Sequence, residues 1–200
     1  MFDIQTQLFE GRDIRFGPID HDKDAEIESK WTHDSEFMRL MDINPARPMS
    51  AAIIKKQYEK LEKQIDDDKN FYYFAIRARE DDRLIGKAMI QGVEWTNGNG
   101  WIQLGIGSAE DRSKGHGSQA LNMLLRFAFA ELNLFRVSVR VPEYNEAAVA
   151  LLKKFGFLEE VRRRQAIDRD SHRWDFIVFG LLNSEWQNQA GLALNIVEGA

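Results

Sequence analysis

Arg112-Ser113-Lys114-Gly115-His116-Gly117-Ser118 is the stretch on which the reading of this chain turns. Ahead of it runs an apolar, strand-like segment with two glycines, Leu104-Gly105-Ile106-Gly107, and then a short charged link. Behind it comes a long helix pattern, apolar almost all round (Leu121, Leu124, Leu125, Phe127, Ala128, Phe129, Leu132). The first turn of a helix carries N–H groups without an intrahelical partner and a partial positive charge, so it attracts phosphate. Gly115 and Gly117 have no side chain to keep a ligand's phosphates from the backbone. Arg112 and Lys114 add positive charge beside the same place. The stretch reads as a phosphate cradle in which backbone amides do most of the binding, so Ser113, His116 and Ser118 contribute more by position than by side chain.

Several cradles use glycines. A Walker loop needs Gly, four residues, then Gly-Lys-Ser/Thr, and no stretch supplies it. Gly115-x-Gly117-x-x-Ala120 satisfies the dinucleotide fingerprint, but a Rossmann turn follows its strand almost directly and belongs to the first βα unit. Here a charged link separates Gly107 from Gly115, and Glu143 lies too far on to serve as the ribose-binding acid. A different phosphate ligand ranks above a dinucleotide.

The residues downstream favour that ligand. Arg112-x-x-Gly115-x-Gly117, an apolar helix, a strand from Arg136 to Val141, then Asn145 and Lys154-Phe155-Gly156-Phe157 follow in order. This order resembles the GNAT superfamily of acyl-coenzyme A-dependent N-acyltransferases. Trp31-Thr32-His33-Asp34, Trp174-Asp175-Phe176 and Gly180-Leu181-Leu182-Asn183-Ser184-Glu185-Trp186 look like its ribosomal-protein N-terminal acetyltransferase (RimJ/RimL-type) branch. The similarity runs from about Ile14 to Trp186. It implies an α+β GNAT fold, a mixed sheet with a splayed central parallel pair flanked by helices, acetyl-CoA as cosubstrate and a primary amine as acceptor.

Composition bounds the rest. Two hundred residues at 44% hydrophobic composition suit one domain with a sizeable core. The expected division is an acetyltransferase domain over residues 1–186 and a tail over 187–200 that frays or packs on a partner, a homodimer being one arrangement. The net charge of −5 gives no basic face for nucleic acid, and Arg162-Arg163-Arg164 reads as a solvated run. No apolar run is long enough for a bilayer and no export signal is legible, which points to the cytoplasm and away from membranes. His21, His33, His116 and His172 are scattered, so no metal is expected. With no cysteine, an acyl group cannot rest on a protein thiol, and direct attack in a ternary complex is the simplest chemistry.

Turn signals and periodicity place the elements. Ile14 to Ile19 reads as a strand, Asp24 to Trp31 and Ser35 to Met41 as short helices with Ser35 as N-cap, and Ala51 to Ile65 as a longer helix capped by Ser50. Strands follow at Phe71 to Arg79, Leu84 to Trp95 and Trp101 to Gly107, the last two joined through Asn97-Gly98-Asn99-Gly100. A helix from Gly115 or His116 to Leu134 then leads into Arg136 to Val141 as a parallel crossover. Asn145 to Phe155 is a helix, and Phe157 to Ile167 with His172 to Leu182 forms a closing hairpin.

Each candidate site residue carries an ordinary reading beside its chemical one. Gly105 and Gly107 mark either a packing bulge or a close backbone approach. The resemblance implies the latter, with the pantetheine arm lying along Leu104, Gly105, Ile106 and Gly107. Asn145 suits a helix cap, and the resemblance adds a hydrogen bond to the coenzyme's amide arm. Tyr144 suits packing or proton donation. Relatives often place a tyrosine before Gly-Phe and a glutamate in the central strand; the matching positions here are Leu152 and Gln103. Gln103 orients water but takes no proton. Glu94 is the nearest carboxylate that could serve as base, or a solvated strand end. Presenting a neutral amine at pH 7 costs about 1–1.4 kcal/mol for an α-amine and about 4.6 kcal/mol for lysine. A site without a strong base therefore suits the α-amine of a protein or peptide, with polyamines, aminoglycosides and small amines as the alternative acceptors, and an inactive acyl-CoA-binding module as the non-enzyme reading.

Overall fold

A computed structural model of the chain describes residues 7–67 and 69–188. Seven strands form one sheet in the order β1-β2-β3-β4-β5-β7-β6. They are β1 (Ile14–Gly17), β2 (Tyr72–Ala78), β3 (Leu84–Glu94), β4 (Asn99–Ile106), β5 (Arg136–Pro142), β6 (Leu158–Arg169) and β7 (His172–Leu182). Every neighbouring pair is antiparallel except β4 and β5. The helices are α1 (His21–Trp31), α2 (Ser35–Met41), α3 (Ala51–Asp67), α4 (His116–Arg126) and α5 (Glu146–Lys154). The α+β expectation, with a central parallel pair between two antiparallel halves, holds.

Local chemistry explains most boundaries. Asp20 caps α1 by accepting from the amides of Asp22 and Lys23, which starts that helix before the expected Asp24. Asp34, not Ser35, caps α2, its carboxylate accepting from the Glu36 and Phe37 amides. Gly98 takes a φ of +65° at the β3–β4 turn, where Phe135 N–H donates to its carbonyl at 2.7 Å. The apolar helix expected to reach Leu134 instead widens into a π-type turn at Phe127–Glu131. That turn inserts the Phe127 ring edge-on among Tyr72 and Phe74, and the chain then reverses through Asn133 at φ +54°. Residues 183–188 form a helical segment after β7 that packs Trp186 on Phe129 at 5.2 Å. The rest of the expected tail, residues 189–200, lies outside the described residues.

Two faces of the sheet are covered differently. On one, α4 buries Ala120, Leu121, Leu124 and Leu125 against Ile90, Ile102 and Val137. On the other, α1 and α2 bury Trp31 and Phe37 over Ala75 and Leu84, and α3 packs Ile54 and Tyr58 outside them. A buried polar network ties α1 to the sheet. Arg77 on β2 donates twice to Asp24, at 3.1 and 2.7 Å, and once to the Pro18 carbonyl at 2.9 Å. One turn on, Glu28 accepts from Tyr58 Oη at 2.7 Å and from Lys87 Nζ at 2.5 Å. Burial beside Glu28 pushes the Tyr58 phenol well above its usual range. Among the described residues, no helix is long and apolar enough to cross a membrane.

Asp24 and Arg77 are 1% and 7% exposed at their side chains, so removing one partner leaves a buried charge. Asp24→Asn is expected to cost about 3–5 kcal/mol in urea unfolding. Asp82→Asn, which breaks the exposed pair with Arg15, should cost under about 1 kcal/mol. Equal losses would contradict the role given to the network.

Candidate functional site

Strands β4 and β5 pair at Asn99–Arg136, Gly100–Val137 and Trp101–Ser138, and then part. Beyond that point β5 remains paired with β7 through Pro142, while β4 stays on β3 through Ile106. The β4 edge facing β5 is therefore open from Ile102 onward, and a backbone edge without a strand beside it accepts an extended polar chain. The gap is lined by Ile102, Leu104, Val139, Val141, Leu121, Leu151 and Leu152, with Gln103, Arg140 and Asn145 as its polar members. On the α1–α2 face it opens into a wider space under Met41, Asp42, Ile43 and Asn44, floored by Gln91, Trp101, Gln103, Arg140, Arg163, Phe176 and Val178.

The α4 terminus has the character expected of the cradle. Gly115 is the N-cap residue, in the left-handed region at φ +86°, and no side chain caps the helix. A Cβ placed on Gly115 would meet nothing within 4 Å, so the space above it is open; one on Gly117 would meet only Leu151 Cδ2 at 3.9 Å. Ser113 also sits at positive φ (+60°), and Ser113, Lys114 and Gly115 are exposed. Ser118 follows in the first turn, and His116 Nδ1 bonds the Asp111 carbonyl at 3.1 Å. Asp111 is in turn gripped by Arg83 at 2.6 and 3.0 Å, which anchors the turn leading into α4. An uncapped, open helix start suits an anionic group, and the unpaired β4 edge suits an extended chain that carries amides.

Arg112 departs from its expected role as mobile charge. Its guanidinium donates to the Gly107 carbonyl at 2.6 Å and to Asp34 at 2.9 Å, and Nε reaches the Ile106 carbonyl at 3.3 Å. It also lies 5.5 Å from the Phe37 ring. It clamps the end of β4 to the start of α2. Desolvation raises the Asp34 pKa, but the Phe37 amide and Arg112 outweigh it and hold the carboxyl below its usual range.

The two β4 glycines answer to packing. A Cβ on Gly105 would lie 2.1 Å from Met41 Sδ, and one on Gly107 would lie 2.0 Å from the Trp31 ring. Leu104 and Ile106 alternate with them and pack towards the α4 core. Glycine is thus required by the close approach of α1 and α2, and the open edge belongs to the backbone on either side.

Gln103 and Asn145 meet at the gap, both holding the end of α2. Gln103 Nε2 donates to the Met41 carbonyl at 2.8 Å and Asn145 Nδ2 to the Leu40 carbonyl at 3.2 Å. Asn145 Oδ1 also caps α5 by accepting from Ala148 N–H at 3.1 Å. Tyr144 lies beside this group, but its phenol donates to the Arg39 carbonyl at 2.9 Å and its ring packs on Trp174. Glu94 is not brought to the gap. It sits exposed at the β3–β4 turn, opposite Asn99, accepting from Asn97 Nδ2 at 3.1 Å. On β3 the residue opposite Gln103 is Met89, five positions before Glu94. Asp175 holds the β6–β7 hairpin through Arg162 and the Gln165 amide.

The hydrogen bond from Arg83 lowers the Asp111 pKa against the raising effect of burial. A lowered folded pKa means stability that is complete above about pH 4 and lost as pH falls through the folded value. Asp111→Asn should lower the urea midpoint at pH 6, and the deficit should shrink below pH 4. A deficit of constant size would contradict the pair's contribution.

The family model of the acetyltransferase (GNAT) domain matches residues 13–158. The SPbeta prophage-derived uncharacterized N-acetyltransferase YokL of Bacillus subtilis (strain 168) is 30% identical over 159 residues, 79% of this chain and 85% of that protein. The putative ribosomal N-acetyltransferase YdaF of the same organism is 29% identical over 109 residues, 54% of this chain and 59% of that protein. The structure of spermidine N-acetyltransferase from Vibrio cholerae, in complex with CoA and spermine, matches with a TM-score of 0.75 over 88% of this chain and 98% of that one. At 19% identity that likeness is one of fold. With its parted parallel strands and its uncapped, glycine-opened helix, the chain belongs to the GNAT acetyltransferase family and is an N-acetyltransferase.

Proposed function

We propose that the protein transfers the acetyl group of acetyl-CoA to the α-amine of a protein or peptide. The observation that carries this reading is the parting of β4 from β5 after Trp101, with the uncapped start of α4 on one side and the space under Met41 on the other. The pyrophosphate lies on the first amides of α4, around Gly115 to Ser118, with Lys114 beside it. The pantetheine arm runs along the open β4 edge, and Asn145 meets its amides. The acceptor enters from the α1–α2 face.

The amine lone pair forms the new N–C bond at the thioester carbonyl, and an amide of the β4 edge near Ile106 stabilises the oxygen as charge develops on it. The C–S bond then breaks and its electron pair leaves with sulfur. The amine proton passes to water, and the thiolate takes a proton from water, because Leu152 offers none. Gln103, oriented through Met41, presents its Oε1 to the amine. Glu94 is too remote for this, and Tyr144 acts as a strut for α2 rather than as an acid.

Two considerations select the acceptor. With an amide and water in place of a base, an amine that is partly neutral at pH 7 has the advantage. The lining on the acceptor side also holds Arg140 and Arg163 against Asp42 alone, which opposes a polycation such as spermine. Asp66 and Asp67, at the end of α3, do not line this space. YdaF, named as a putative ribosomal N-acetyltransferase, supports placing the chain near the RimJ/RimL-type branch. Cytoplasmic action follows from that acceptor.

Thiol release from acetyl-CoA tests the acceptor with no background from the enzyme, which has no cysteine. At pH 7, kcat/KM for a free peptide α-amine should exceed that for a lysine side chain in an N-blocked peptide by about 200–400-fold. Equal rates, or a preference for spermidine, would overturn this reading.

Gly115→Val strains the backbone by about 1–2 kcal/mol and covers the helix start. It should raise the KM for acetyl-CoA at least tenfold, whereas Ser113→Ala and His116→Ala should change it less than threefold. The reverse order would contradict binding by backbone amides.

A further inference from the structure

Arg140 and Arg163 stand apart from the chain's other site arginines. Arg112 is held by Asp34 and Glu36, and Arg83 by Asp111. Arg162, adjacent to Arg163 and therefore directed to the opposite face of β6, is held by Glu159 and Asp175. Arg140 and Arg163 form no ion pair among the described residues, and both line the acceptor space. Asp42, the one carboxylate in that lining, is engaged in its own turn, accepting from the Asn44 amide at 2.9 Å.

The two side chains are organised. The Arg140 guanidinium carbon lies 3.9 Å from the Trp101 ring centroid, a cation–π contact that fixes the position of the charge without neutralising it. Pairing of β5 with β7 and β7 with β6 sets Arg140 opposite Val178 and Arg163 opposite Phe176. Both arginines therefore share the face carrying Phe176 and Val178, two strand spacings or about 10 Å apart laterally. Gln103, on β4 two residues after Trp101, is on the same face as that indole. Two cations beside an apolar floor, next to the place where the amine reacts, form a receptor for carboxylates on the acceptor itself.

Resting on the proposed transfer to an α-amine, we infer that the acceptor is a peptide or protein N-terminus with acidic side chains in the few residues after the acetylated one. Arg140 and Arg163 are its specificity-determining residues. An extended chain advances about 3.3 Å per residue, so carboxylates two to four residues from the amine span the distance to both.

The test is fluorescence anisotropy with two C-terminally labelled hexapeptides on the full chain saturated with CoA. Both begin with serine; one carries glutamate at the next three positions and the other lysine. The acidic peptide should bind about tenfold or more tighter at low salt, the size expected of one charge-assisted contact. The preference should shrink in 0.5 M salt. Arg163→Glu should abolish or invert it, Arg140→Gln should reduce it, and Arg164→Glu, on the other face of β6, should leave it unchanged. Equal binding, tighter binding of the lysine peptide, absence of binding by both, or a preference that survives Arg163→Glu would each overturn the inference. Thiol release with the same peptides separates the two claims. Acidic preference without release sinks the transfer to an α-amine but not the receptor, and release without preference does the opposite.

Discussion

The separation of β4 and β5 is the constraint on which this protein's chemistry depends. A parallel pair that stayed in register would satisfy its own backbone and leave nothing for a ligand. Here the pair lasts from Asn99 to Trp101, and each strand is then kept by its outer neighbour, β4 by β3 and β5 by β7. Exposing a polar edge inside a sheet is costly, and the surrounding structure is arranged to keep it open. Leu104 and Ile106 anchor β4 from the α4 side, and Arg112 clamps its last carbonyls from the other.

The same arrangement explains why α2 lies where it does. Met41 packs against Gly105 and Trp31 against Gly107, at positions where any Cβ would collide. Gln103 and Asn145, one from each side of the gap, hold the Met41 and Leu40 carbonyls. The end of α2 thus acts as a lintel across the opening, tied to both strands through polar side chains. Beneath α1, the Asp24–Arg77 and Glu28–Lys87–Tyr58 contacts hold the α1–α2 layer against the sheet. Stability and site geometry are therefore coupled through one layer of short helices.

Much of this was legible in the chain and some was not, for physical reasons. Asn97-Gly98 announced its hairpin because the turn needs positive φ, and Gly115-x-Gly117 announced an open, uncapped helix start because that start needs small residues. The buried helix α4 was visible as a pattern apolar almost all round. Arg112 misled, since an arginine beside a phosphate-type loop looks the same in sequence whether it meets a ligand or two backbone carbonyls. Gly105 and Gly107 signalled close approach without saying that Met41 and Trp31 make it, residues 64 and 76 positions away being invisible to local pattern. Glu94 was counted as near because strand registers were unknown; pairing with Asn99 puts it at the turn. Arg140 left a faint signal, a charge set between Val139 and Val141 on β5, but its contact with Trp101 depended on the parallel register. Arg163 was hidden inside a basic run whose members face opposite ways.

Hydrogen exchange with and without saturating acetyl-CoA tests the central claim most directly, because it reads backbone amides. The account predicts slowed exchange at the first turn of α4, His116 to Gln119, and along β4 from Ile102 to Ile106. The amides of β1 and β2 should be unchanged. Protection confined to regions away from the β4–β5 gap, or none at saturation, would contradict the claim that the parted strands and the open helix start are the coenzyme's seat.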